Sequence, residues 1–311
     1  MQTMTRPSAD PTFSKMVGRL NKLSVEKHFD AYVDIDWDDP QMALDPSDPR
    51  LIPGPVDPVC DTDWYSQLDD EAKSRFGLYR MASCMKTGWH FENLLQRGLL
   101  AIAFREPNNS EAFRYVHHEV IEESQHTLMF QEYVNRSSLP IRGMSAWYRF
   151  LAEQIVERVA KIDRLLFFVF VLGGEDPVDH LQRQLLREGI AHPLLERVMR
   201  IHITEEARHL SFARHYLSAN VPKAGRCRRA ILSIAAPLIL GTMVRIMLYP
   251  SSDLRRNVLM PRSAYVQMVK SPKGRQLLKD SLAKTRGLWV ELGLVGPFSK
   301  LLWKAEAIWS D

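Results

Sequence analysis

The amino-acid sequence predicts an all-α fold: a ferritin-like four-helix bundle with additional flanking helices and an extended N-terminal arm. Three observations carry this. Apolar residues recur at helical spacing over several long stretches. Two of those stretches hold a Glu-x-x-His motif, Glu123-Ser124-Gln125-His126 and Glu206-Ala207-Arg208-His209. A lone glutamate, Glu92 and then Glu175, precedes each motif, the order that a di-metal helical bundle requires.

Residues 1–63 are expected to form an arm wrapping the bundle, and 64–311 the bundle domain with C-terminal cover helices. In the arm, Phe13 to Leu23 has the spacing of a short amphipathic helix. From Phe29 to Asp63, Asp and Pro dominate. Proline disfavours helix at itself and at the preceding residue, so an extended path is expected there. Tyr32, Val33, Ile35, Trp37, Leu51 and Ile52 are the apolar side chains that would dock it, with Trp37 and Ile52 in grooves.

From Trp64 to Glu106 a short helix precedes a long one. Met81, Met85, Gly88, Trp89, Glu92, Leu95 and Leu99 step along one face. Glu92 therefore lies on the apolar side, where an unpaired carboxylate is costly. It is a metal ligand or half of an interhelix salt bridge, and the motif order favours the ligand.

Pro107-Asn108-Asn109-Ser110 is a turn, and Ser110 can cap a helix running to about Ser137. Tyr115, Glu119, Glu123, His126 and Phe130 make its inner face. Glu119 and Glu122 could orient a histidine, while His117 and His118 belong nearer the surface. Ser138-Leu139-Pro140 breaks the helix. Trp147 to Leu172 reads as the third helix, its second half apolar nearly all round and so buried. Gly173-Gly174 then either end that helix, with Glu175 as a cap, or make room near a metal, with Glu175 as a ligand. The motif order favours the second. A shorter helix, Asp179 to Glu188, leads to the fourth, His192 to Ala219. Cover helices follow over Arg226 to Leu248, Pro261 to Val269, Pro272 to Arg286 and Leu288 to Trp309.

His202, Glu206 and His209 run i, i+4, i+7 and share one face. Burying these carboxylates and imidazoles without a partner would be very costly. Carboxylate and imidazole together suit iron or manganese, and with no cysteine in the cluster structural zinc and iron–sulfur are disfavoured. Two iron ions, Fe2+ or Fe3+, are expected, and the same ligands serve a mixed Mn/Fe pair. In the generic arrangement Glu123 and Glu206 bridge the ions. Glu92 and His126 complete one, Glu175 and His209 the other, and His202 would reach this second ion as an additional ligand.

The set Glu92, Glu123, His126, Glu175, His202, Glu206 and His209 resembles the AurF-type di-iron N-oxygenases. Their pattern is Glu, Glu-x-x-His, Glu, then His-x-x-x-Glu-x-x-His, and the likeness runs roughly from Trp64 to the C-terminus. The resemblance implies an all-helical fold, a homodimer, and O2-dependent oxidation of an (aryl)amine to a hydroxylamine, nitroso or nitro product. It also implies an external electron donor. A peroxo-di-iron species is the expected oxidant. The rival readings are a fatty-acyl desaturase or hydroxylase, a radical-generating reductase subunit, and an iron-storage protein. His202 argues against the first, and Phe130, where a radical tyrosine would stand, against the second.

Composition bounds the rest. Of 311 residues, 45% are hydrophobic and 25% charged, as in ordinary soluble proteins. A formal net charge of +4 without a clustered basic face does not suggest nucleic acid. Cys60, Cys84 and Cys227 are scattered and odd in number, which fits the reducing cytoplasm. Met1 to Pro11 is polar, unlike a secretory signal. The apolar stretch Ala230 to Val244 is shorter than the roughly 20 residues of a membrane span and contains Pro237, so a cover helix is expected. Arg208, Arg245, Arg262 and Arg286 are candidate anchors for a substrate carboxylate, though exposed arginine is the commoner case.

Overall fold

Among residues 11–189 and 192–309, which the computed structural model describes, every regular element is a helix and no strand occurs. The bundle consists of α3 (Asp70–Ala103), α4 (Glu111–Ser137), α6 (Arg164–Glu188) and α7 (Pro193–Asn220). The chain reaches it through α1 (Pro11–Glu26), the arm and the single-turn α2 (Asp63–Ser66). Helix α5 (Ala146–Ile162) packs outside, against α3 and α6. Helix α8 (Arg226–Leu248) lies along α6, and α9 (Ser252–Asn257), α10 (Arg262–Lys270), α11 (Pro272–Ser281), α12 (Ala283–Glu291) and α13 (Pro297–Ala305) follow it.

The bundle helices start where side chains can satisfy their free N–H groups. Asp69 caps α3, Ser110 caps α4, Asp163 caps α6 and His192 caps α7, each accepting from a backbone amide of the first turn. Their inner faces are closely packed. Phe91, Leu95, Leu99, Phe167, Phe168, Leu172 and Phe212 are all buried in one cluster, and each such side chain contributes ~1.5–3 kcal/mol relative to exposure.

The third bundle helix departs from expectation. The break falls at Asp163, not at Gly173-Gly174, so α5 and α6 are separate and α6 runs unbroken through both glycines and Pro177. Asp163 accepts from the amides of Leu165 and Leu166 and starts the second helix. The glycines are needed for packing instead. A Cβ on Gly174 would lie 2.1 Å from the Phe91 ring, and one on Gly173 would lie 3.1 Å from Met243. Glu175 is therefore in a helix interior and faces inward, 2% exposed.

The arm is not extended. Pro40–Met42, Pro49–Leu51 and Pro58–Asp61 are short 3-10 turns, each with proline first and capped by the preceding aspartate, Asp39, Asp48 or Asp57. Ile35, Trp37 and Leu51 are buried, Ile52 is half-buried, and Tyr32 and Val33 point to solvent. At Gly77 of α3 the arm comes so close that any Cβ would lie 1.7 Å from the Leu51 carbonyl oxygen. Further along, the expected Pro272–Arg286 helix is divided at Leu282. The expected Leu288–Trp309 helix is interrupted after α12, where Gly293 takes φ +66° and Pro297 restarts the chain in α13. Helix α9 has no counterpart among the expected elements.

Helix α8 is longer than its apolar stretch. The region Arg226–Asn257 is long and apolar enough to cross a membrane by length and composition, and half of its most apolar window is buried in the protein. Leu232, Ala236, Leu240 and Val244 make its buried face against the bundle.

Candidate metal centre

Glu92 on α3, Glu123 and His126 on α4, Glu175 on α6, and His202, Glu206 and His209 on α7 all point into the bundle and are 0–2% exposed. Two groups of ligand atoms form there. Glu92, His126, His202 and Glu206 each offer an atom within 4.8 Å of the others, and so do Glu123, Glu175, Glu206 and His209. Glu206 belongs to both. Glu123 also faces both, with Oε2 3.3 Å from His126 Nδ1 and Oε1 2.8 Å from His209 Nδ1.

His202 lies on the opposite side from the expected one. It gathers with Glu92 and His126, its Nε2 3.6 Å from both Glu92 Oε1 and Glu206 Oε1. The reason is helix geometry: each residue rises about 1.5 Å, so His202 and His209 flank Glu206 from opposite directions along α7.

The donor set fits metal ions rather than a self-satisfied polar core. Glu92 Oε2, both Glu175 oxygens, Glu206 Oε2 and His202 Nε2 are buried and have no hydrogen-bond partner. Buried polar groups are otherwise nearly always partnered. The second nitrogen of each imidazole is engaged away from the centre. His126 Nε2 donates to Glu205 at 2.9 Å, and His209 Nε2 donates to Glu122 at 2.7 Å. His202 Nδ1 meets Gln182 Oε1 at 2.9 Å. Ionised carboxylates only accept, so Glu205 and Glu122 hold the Nε2 protons of His126 and His209, and Nδ1, which faces Glu123, is the nitrogen a metal would take on displacing its proton.

The result is a crossed pair. Each helix carries Glu-Glu-x-x-His, and the first glutamate of each motif serves the histidine of the other. Arg208, expected at the surface, is buried between these two outer carboxylates, 2.8 Å from Glu122 and 3.5 Å from Glu205. The arm contributes as well: the Phe29 amide donates to Glu205 at 3.2 Å. Glu205, Arg208 and Gln182 were not legible as site residues. The one available signal was the doubled glutamate in both motifs.

A sequence profile described as p-aminobenzoate N-oxygenase AurF matches residues 10–293. The chain belongs to the AurF family. Uncharacterized proteins of Mycobacterium bovis and Mycobacterium tuberculosis are each 38% identical to it over 297 residues, covering 95% of this chain and 87% of theirs. No solved structure matches it. AurF-family proteins are di-metal oxygenases, and the two ligand groups suit such a centre.

The electrostatics of this AurF-family site are those of crowded buried acids and bases. Burial, then the charges of Glu123 and Glu206, pushes Glu92 well above the ordinary carboxylate range. Glu175 is raised for the same reasons, Glu206 acting more strongly than Glu123. Burial also opposes ionisation of Glu123, but His209 and several hydrogen bonds outweigh it and hold this carboxyl low. For His126, burial is outweighed by the hydrogen bonds it donates to Glu123 and Glu205, which lift it to about 10. His202 is pushed down to about 4, chiefly by burial, and is a neutral imidazole near pH 7. In the metal-free protein protons balance the charge, and a dication must displace them.

A cavity of about 40 Å³ opens on the face formed by Glu92, Glu175 and His202. Its other walls are mainly Met81, Met85, Met199, Met247, Phe91 and Phe130. Phe130 packs with its ring centre 5.1 Å from that of His202. Of the four arginines considered as carboxylate anchors, none lines this cavity. Arg245 pairs with Glu306, Arg286 donates to the Lys279 and Ile308 carbonyls, and Arg208 is held by the outer carboxylates.

Proposed function

We propose that this protein is a di-iron N-oxygenase that transfers one oxygen atom of O2 to the nitrogen of an amine, with electrons from an external donor. In this reading Glu92, Glu123, His126, Glu175, His202, Glu206 and His209 would hold the irons, with Glu206 belonging to both ligand groups and Glu123 facing both. The single observation that carries it is His202: a neutral, buried imidazole with an unpartnered Nε2 beside Glu92 and Glu206, in a chain of the AurF family.

Iron held by these residues would supply the redox chemistry that reduces O2, recharged by the external donor. The chain's own residues do the remaining work. Glu205 and Glu122 hold the Nε2 protons of His126 and His209, so both rings present Nδ1 to the centre, where a metal would displace its proton. Gln182 fixes the His202 ring, which adds a third nitrogen donor to the centre. Arg208 offsets the charge of the two outer carboxylates. The apolar walls keep bulk water from the face where the amine lone pair must approach.

A mixed Mn/Fe pair suits the same ligands. The apolar cavity favours a second reading, oxidation of a fatty-acyl chain. Three unpaired cysteines support a cytoplasmic location. Exposed Trp147, Phe150, Ile155 and Ile162 on α5 support a homodimer. The deciding experiment is reconstitution with Fe(II) under O2 and a reductant, with metal analysis and mass spectrometry of arylamine and acyl products. Two irons per chain and label from 18O2 in an N-oxide are expected. An oxidised acyl chain with no N-oxide from any amine would overturn the assignment.

A further inference from the structure

The cavity at the metal ligands is not isolated. A second cavity, also about 40 Å³, lies beneath the arm between Arg50 and Asp57. The two share Met81, Leu181 and Leu185 as walls. These three flexible side chains are the partition between them. With those side chains moved aside, the two cavities would join into a path from beneath the arm at Leu51 to Gly54, between α3 and α6, to Glu92, Glu175 and His202. The Gly77 notch that seats the Leu51 carbonyl holds the arm over this path.

The charges along the path are one-sided. At its inner end the ionisable ligands are carboxylates and imidazole, and the other polar side chains in the walls are Cys84 and Gln182. Among the described residues, no lysine or arginine lines the inner cavity. Buried Arg80, which contacts the cavity residues Cys84 and Leu248, is engaged through each of its nitrogens. Its Nε donates to Asp57 at 3.1 Å, its Nη1 to Cys84 Sγ at 3.3 Å and its Nη2 to the Leu248 carbonyl. At the outer end Arg50 is held by Asp48 at 2.6 Å. A carboxylate pushed into the inner cavity would lose its water and meet no lysine or arginine among the described residues, and two divalent ions held there would already be balanced by the four carboxylates Glu92, Glu123, Glu175 and Glu206, so its entry is unfavourable.

Resting on the N-oxygenase reading, we infer that the substrate is a slim amine with an uncharged, apolar body, admitted beneath the arm, and not an amine that carries a carboxylate to the metal centre. The cavity walls agree with this. At 40 Å³ the inner cavity is smaller than the roughly 150 Å³ that admits benzene. A ring or chain enters by displacing methionines, whose unbranched thioethers adapt to irregular apolar shapes. The body of the substrate then extends past Met81, Leu181 and Leu185 into the outer cavity.

The test compares aniline, 4-butylaniline and 4-aminobenzoate on the full-length, iron-loaded protein. Binding is read anaerobically by calorimetry, and N-oxidation is read separately under O2. We expect 4-butylaniline to bind tightest and 4-aminobenzoate at least about tenfold more weakly than aniline. Equal or tighter binding of 4-aminobenzoate would overturn the inference and leave the N-oxygenase reading intact. Binding in the expected order with no N-oxidation of any amine would support the cavity assignment and remove the N-oxygenase reading. Met81→Lys places an ammonium at the partition and is expected to narrow or reverse the preference. Leu185→Phe narrows the path and is expected to weaken 4-butylaniline more than aniline. Circular dichroism checks that both variants fold. If both fold and neither changes the order or the ratios of binding, the path is wrong.

Discussion

The two halves of the centre share one plan and differ in one donor. In each, an inward glutamate from α3 or α6 meets the histidine of a Glu-Glu-x-x-His helix, and a glutamate from the opposite motif holds that histidine's outer nitrogen. The half built on Glu92 and His126 adds His202, fixed by Gln182. The half built on Glu175 and His209 has no such nitrogen. Near it lies Glu119, buried, with neither oxygen partnered. The repeated motif therefore builds a symmetric frame, and single residues outside the repeat make its ends unequal.

Breaking the shared element should have the largest effect. Glu206 belongs to both ligand groups, so Glu206→Ala is expected to empty both halves. Metal analysis should show almost none bound, and activity should fall by more than about a thousandfold, as for groups that act as a unit. Next comes the unequal donor. His202→Ala should weaken one metal by about 100-fold and leave the other near wild type, resolved as two steps in an Fe(II) titration. Equal loss of both would mean that the halves are not separable.

The crossed carboxylates give a finer test. Glu205→Gln should weaken the His126 half and Glu122→Gln the His209 half, each by about 10–100-fold. Mössbauer spectra at partial 57Fe loading should then show opposite sites emptied. The smallest effect concerns Glu119. Burial, the dominant cause, raises this carboxyl from the ordinary 4.5 to about 8. A raised folded-state value means stability is fully present below the ordinary value and is lost as pH rises through about 8. Metal-free Glu119→Gln should thus melt like wild type at about pH 4.5 and several degrees higher at about pH 9, at 2–4 °C per kcal/mol.

The seven inward residues were legible because helical spacing alone sets which positions share a face. Which ligand group His202 joins was not, since i, i+4 spacing to Glu206 does not say on which side of it the other helices present Glu92 and Glu175. The α5–α6 break was misread because Gly173-Gly174 and Pro177 have the local signature of a helix end. Their helix survives through contacts with Phe91 and Met243, which are distant in sequence. Glu205 and Arg208 stand off the inner face of α7 by local geometry. They are buried because Glu122, His126 and the Phe29 amide come to meet them.

That last bond joins residues 176 positions apart. During synthesis, α3 and α4 emerge with two glutamates and one histidine, while every nitrogen donor of α7 is still to come. A nascent chain thus holds only part of the inward set until α7, about two-thirds of the way along the 311 residues, has been made. The arm's amide on Glu205 then ties the first tenth of the polypeptide to its newest metal donors. A chain clipped just after Phe29 would lose this strut while keeping all seven inward side chains.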